Sequence, residues 1–166
     1  AMGIPRQDRQ TLAALACLRF GVRVDREGTL LRDYHTAHTE KGSAYVTNRY
    51  YLADAVFVAG LESEDGALLE RIGQALASPA FPLYLGRRSC PPTGRIFLEI
   101  SHKPLEEALR EDAPPSACRL VLDAKAEEPG GLQRDVPLSF DPNRREYGFR
   151  RVYSCPLHSA AEHDPM

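Results

Sequence analysis

Two stretches of this chain alternate or cluster as strands do, and what lies between them constrains the fold most. Leu18, Phe20, Val22 and Val24 point one way while Arg19, Arg23 and Asp25 point the other. That two-residue period predicts a half-buried strand over Leu18–Asp25, its charged positions facing solvent. The next strand-like run is Tyr51–Leu61, where Ala55, Val56, Phe57, Val58 and Ala59 are apolar on both faces, which predicts a central strand. Residues 26–50, in between, are polar, contain Gly28 and Gly42 and keep no sustained period. A compact domain rarely carries so long an insertion without a use for it.

The remaining elements follow from caps and punctuation. Asp8 caps a short helix over residues 9–16, with Leu12, Leu15 and Ala16 on one face. Asp65 opens an amphipathic helix through Leu68, Leu69, Ile72, Ala75 and Leu76, and Ser78-Pro79 ends it. Residues 82–94 (PLYLGRRSCPPTG) form a Gly- and Pro-punctuated loop, and Ile96, Leu98 and Ile100 alternate as a strand over Arg95–Ile100. Pro104 starts a short acidic helix. A strand near Arg119–Ala124 follows, then two strands flanking the turn Asp141-Pro142-Asn143. The tail after Leu157 reads as disordered. The first hundred residues thus run helix end, strand, long insert, strand, helix, strand. A ferredoxin-like βαββαβ domain reads this way after its first strand. The expected class is α+β: residues 1–100 a ferredoxin-like domain, 101–157 a smaller β-rich lobe, 158–166 a flexible tail.

Apolar residues make up 43% of the chain, enough for a core. No stretch reaches the roughly 20 apolar residues of a membrane helix. Cys17, Cys90, Cys118 and Cys155 form no CxxC pair and sit at no metal spacing from the histidines. They read as reduced thiols of a cytoplasmic protein, and the chain offers no metal or cofactor motif. The net charge of −2 disfavours a nucleic-acid binder, but the charges are segregated. Residues 85–95 carry Arg87, Arg88 and Arg95 and no acid; residues 144–151 carry four arginines against Glu146. Of 21 basic residues only Lys41, Lys103 and Lys125 are lysines. Arginine's planar fork suits phosphate, although a GC-rich genome gives the same bias.

Two segments carry candidate chemistry. In Tyr84–Pro91 (YLGRRSCP), Gly86 lets the backbone approach a ligand, while Arg87, Arg88 and Ser89 can donate to phosphate. The alternative is a solvated loop. The long insert opens on Leu31–Thr36 (LRDYHT) and closes on Tyr45, Arg49, Tyr50 and Tyr51, so four of the seven tyrosines surround it. Arg32, Tyr34, His35, Arg49 and Tyr50 could stack on unpaired bases and hold the backbone; the alternative is a hairpin whose tyrosines pack locally. His35 with Tyr34 and Lys41 could also form a metal-independent ribonuclease group, the histidine as general base and the lysine as charge stabiliser. Asp33 reads as the partner of an arginine rather than half of a metal pair.

LRDYHT, Arg49–Ala55 (RYYLADA) and above all YLGRRSCP resemble the Cas-five family of the RAMP superfamily, a subunit of type I-E CRISPR Cascade complexes. The match runs through most of residues 1–100; beyond 101 it is loose, returning near Arg145–Tyr153. The resemblance implies a non-catalytic, RNA-binding subunit of an antiviral ribonucleoprotein, holding the 5′ handle of the CRISPR RNA. A thumb, here about residues 29–50, would press on the RNA and the adjacent backbone subunit and meet the large subunit. It implies no small-molecule substrate and no membrane. A sister subtype's relative cuts precursor RNA, so repeat-processing endoribonuclease is the alternative. The resemblance also implies a first strand and most of a first helix before Ala1, about 30–45 residues by ordinary element lengths. That strand would lie between Tyr51–Leu61 and Arg95–Ile100.

Overall fold

The computed structural model describes residues 1–39, 42–125, 127–141 and 143–157; the expected flexible tail, 158–166, lies outside them. The elements are α1 (Arg9–Ala16), β1 (Arg19–Arg26), β2 (Thr29–His38), β3 (Ala44–Ala53), β4 (Val56–Glu62), α2 (Gly66–Ala77), α3 (Leu105–Arg110), β5 (Arg119–Asp123), β6 (Gly131–Phe140) and β7 (Arg145–Pro156). The class is α+β. Both aspartate caps act as expected: Asp8 Oδ1 accepts from the Thr11 amide at 3.0 Å and Asp65 Oδ1 from the Leu68 amide at 3.0 Å. Each satisfies an amide that the first helical turn leaves without a partner.

Five strands form one antiparallel sheet in the order β4-β1-β5-β7-β6, and β2-β3 forms a separate two-stranded ribbon. Most of the described residues between 26 and 50 are therefore regular strand, where no period was evident. The ribbon pairs ten residues per strand, Thr29 with Ala53 through His38 with Ala44, so Tyr51–Ala53 belong to it and not to the strand that follows. Asp54, at φ 58°, turns the chain into β4. β4 is an edge strand rather than a central one: it pairs only with β1, and Phe57 is 48% exposed. An apolar run on both faces shows strand preference but not a second neighbour.

Arg95–Ile100 belongs to no ladder, and Ile96 sits in a bend. The alternation of Ile96, Leu98 and Ile100 suits a strand, but a strand exists only against another strand's backbone. None among the described residues lies beside this segment, and it does not pair with β4.

The core sits where α3 crosses the sheet. Leu105 and Leu109 of α3 pack with Ala117, Leu120, Leu122 and Leu157, and Leu120 and Leu122 are fully buried. Gly21 and Gly60 have no side chain where those leucines come in; a Cβ on Gly60 would meet Leu105 Cδ1 at 2.6 Å. This covers the β1 face expected to be solvated. Arg23 and Asp25 are 7% and 8% exposed. The guanidinium meets Asp25 through Nε at 2.6 Å and Nη2 at 3.2 Å, and Nη1 donates to the carbonyls of Leu109 and Glu111 at 2.9 Å. Charged residues in a strand pattern normally mark the wet face; here they are paired and fully bonded, which makes burial tolerable.

α3 is also tied to β7. Arg110 bonds Glu106 and the Leu157 carbonyl, and the Tyr153 hydroxyl donates to Glu106 Oε2 at 3.0 Å. Burial, then the Glu106 bond, push the Tyr153 phenol from 10.0 up to about 12. A folded-state value above the unfolded one stabilises below the unfolded value and is lost as pH climbs through the folded one. Stability should therefore fall as pH rises from 10 toward 12. A phenolate absorbance titration should show a late step near pH 12; Tyr153→Phe should remove it, and an unchanged profile in that variant would refute the assignment.

Candidate nucleic-acid interface

The β2-β3 register sorts the candidate residues onto two faces, because alternate side chains of a strand point to opposite sides. Arg32 lies opposite Tyr50, Tyr34 opposite Asn48 and Leu30 opposite Leu52. This face is open and largely apolar: Leu30 is 64% exposed, Tyr34 71% and Tyr50 57%. Arg32 Nε donates to Asn48 Oδ1 at 3.1 Å, which keeps its guanidinium along the ribbon. The other face carries His35 opposite Thr47, Asp33 opposite Arg49 and Leu31 opposite Tyr51. Arg32, Tyr34 and Tyr50 are thus brought together, while His35 and Arg49 stand on the reverse side.

The second candidate segment joins that reverse side. The Leu85 amide donates to the Cys90 carbonyl at 2.8 Å and the Cys90 amide to the Arg87 carbonyl at 2.9 Å, closing residues 85–90 into a tight loop. Gly86 sits at φ +79° with nothing within 4 Å of where a Cβ would be. Its role here is the left-handed backbone of the turn, which other residues adopt only at a cost. Arg87, Arg88 and Ser89 are all exposed. The Arg87 guanidinium lies 5.2 Å from the centre of the Tyr51 ring, over the root of the ribbon. Such a stack contributes about 0.5–1 kcal/mol at an exposed site and fixes the loop against β3. Tyr51, one of the tyrosines around the insert but not among the candidate contact residues, is the ring on which the loop arginine stacks. The signal for it is its place two residues after Arg49, on the same face.

This arrangement presents arginines, a ring and a histidine along one side of a protruding ribbon. Phosphate would find charge-assisted donors there, and unpaired bases a surface to stack on. His35 Nε2 is 3.1 Å from Asp33 Oδ2, both side chains half-exposed. Asp33 therefore orients the histidine, not an arginine as expected. Of the other members of the nuclease expectation, Tyr34 stands on the opposite face from His35 and Lys41 lies outside the described residues. An open depression of about 420 Å³ beside α2 is lined by Met2, Arg71, Gln74, Ala75 and Ser78, none of them from the ribbon or the loop. Among the described residues no three His, Cys, Asp or Glu side chains converge as a metal site, no disulfide forms, and no helix is long and apolar enough to cross a membrane.

Known proteins carry this architecture. The sequence model of a family described as CRISPR-associated protein (Cas_Cas5) matches residues 1–153. The CRISPR system Cascade subunit CasD of Escherichia coli (strain K12) is 34% identical over 116 residues, 58% of this chain and 52% of that protein. The chain thus spans about half the length of this curated relative. A chain of a solved "CRISPR RNA-guided surveillance complex" superposes with a TM-score of 0.72 at 31% identity, covering 93% of this chain and 72% of that one. A "Crystal structure of Cas protein" gives 0.71 at 37% identity, covering 94% and 74%.

Proposed function

The chain belongs to the CRISPR-associated Cas5 family, and from that premise we infer that it is a non-catalytic, RNA-binding subunit of a Cascade surveillance complex in the cytoplasm, holding the 5′ handle of the CRISPR RNA. The observation that carries this is the stack of Arg87 on Tyr51, which joins the arginine loop to the ribbon. Arg49 and His35 share that face with Tyr51, so one run of RNA can meet all of them. Arg87, Arg88 and Ser89 hold phosphate, Tyr51 supports Arg87, and His35 and Arg49 extend the contact along the thumb. The opposite face, with exposed Leu30, Tyr34, Tyr50 and Leu52, suits a protein neighbour such as the backbone subunit. Arg32 fits the polar rim of that contact. The large subunit would be met at the thumb's other end. In the ferredoxin-like reading, β1 and β4 are the second and third strands and α2 the second helix.

The His35–Asp33 pair favours one second reading, a metal-independent ribonuclease with His35 as general base. Against it, both side chains are half-exposed on an open ribbon, where no enclosing wall excludes water. Incubating the purified protein with end-labelled repeat RNA in EDTA separates the two. The expected result is intact RNA with both wild type and His35→Ala. Cleavage by wild type that vanishes in His35→Ala would establish the nuclease instead.

A further inference from the structure

The β6-β7 arm reaches beyond the part of the sheet that α3 covers. Tyr153 and Cys155 pack against the leucine core. Further out along β7 on that same face, Phe149 is 62% and Tyr147 44% exposed. Arg151 and Arg145 share their parity, so the face carries arginine, ring, ring, arginine in turn. On β6, Arg134 lies opposite Phe149 and Leu132 opposite Arg151. The Arg134 guanidinium is 5.8 Å from the Phe149 ring centre, and its Nε donates to the Tyr147 carbonyl at 3.2 Å. The strand carboxylates sit on the reverse side: Asp135 is bound by Arg150, which also meets Asp123, and Glu146 is bound by Arg144.

We propose that this face of the β6-β7 arm is a second binding site for single-stranded RNA, separate from the thumb and the arginine loop. It rests on the reading of the chain as an RNA-binding subunit. Charge decides between occupants. The centre of a protein–protein interface is depleted of charge, whereas here arginines alternate with the rings and no strand carboxylate shares the face. Rings stack bases of any sequence and arginines take the phosphates between them. Arg145 to Arg151 spans about 20 Å of extended strand, room for several nucleotides.

The test is photo-crosslinking of the full chain to a 4-thiouridine-containing oligouridylate 20-mer, with adducts mapped by mass spectrometry. Adducts at Tyr147 or Phe149 are expected besides those at the thumb and loop. Charge reversal at Arg87 and Arg88 should remove the loop adducts and leave those of the arm. Arg134→Ala with Phe149→Ala should weaken oligouridylate binding about tenfold, and Phe149→Tyr, which keeps a ring, should not. Both positions are exposed, so the melting temperature should hold. Adducts confined to thumb and loop, with unaltered affinity in the arm variant, overturn this proposal and leave the first reading standing. Adducts at neither surface overturn both. Loss of partner proteins from the arm variant, with RNA adducts unchanged, makes the face a protein contact and also overturns it.

Discussion

Arg87→Glu combined with Arg88→Glu is expected to weaken handle-RNA binding about a hundredfold and to flatten its salt dependence. Each arginine bound to a phosphate forms a charge-assisted bond contributing about 1.5–3 kcal/mol, and reversal adds repulsion on top of removing that bond. Every phosphate that goes unneutralised also lowers the log–log salt slope by roughly 0.7 for single strands, so the pair should lower it by about 1.4. The single variants should differ. Arg87→Ala also removes the stack on Tyr51 and frees the loop from the ribbon, whereas Arg88 has no partner among the described residues, so Arg88→Ala removes only the bond to RNA. Fluorescence anisotropy across a salt series measures both quantities. Unchanged affinity with an unchanged slope would remove this loop from the interface.

Asp25→Ala is expected to cost the fold about 3–5 kcal/mol, the usual consequence of leaving one charge of a buried pair without its counter-ion. Arg23 would retain the Leu109 and Glu111 carbonyls but lose both carboxylate bonds, with only 7% of the residue open to water. That loss is a large part of a typical domain stability of about 5–15 kcal/mol. Arg23→Leu with Asp25→Ala should recover much of it, because an apolar pair carries no desolvation penalty. Urea unfolding of both variants decides the matter; a wild-type midpoint in Asp25→Ala would mean that the pair is hydrated or dispensable.

Why Arg23 misleads is instructive about what a sequence makes legible. In an alternating strand a charged residue counts as outward. Its real partners are an aspartate two positions on and two carbonyls of a helix more than 80 residues away, which no local pattern records. The helix starts at Asp8 and Asp65 were legible because a cap is a local bond between residues three apart. The ribbon was not: β2 is exposed along nearly its whole length, and the more covered positions of β3, Thr47, Arg49, Tyr51 and Ala53, are no more apolar than its exposed Val46, Asn48, Tyr50 and Leu52, so hydropathy does not follow burial there. Arg95–Ile100 shows the converse, a local strand pattern without the neighbour that would make it one. At the candidate site, the tyrosines, arginines and glycine of the two segments were evident from the sequence. Their division between two faces and the meeting of Arg87 with Tyr51 depend on register and tertiary packing.

The central claim is that the chain holds the repeat-derived 5′ end of CRISPR RNA, and sequencing the RNA that co-purifies with it tests this most directly. The chain would be expressed with the other subunits of its complex and a CRISPR array, then purified through a tag on this chain. The account predicts RNAs sharing one repeat-derived 5′ end, protected at that end, and absent when Arg87 and Arg88 are reversed. RNA without a common 5′ end, or a complex that retains its handle-bearing RNA in the charge-reversed variant, would contradict it.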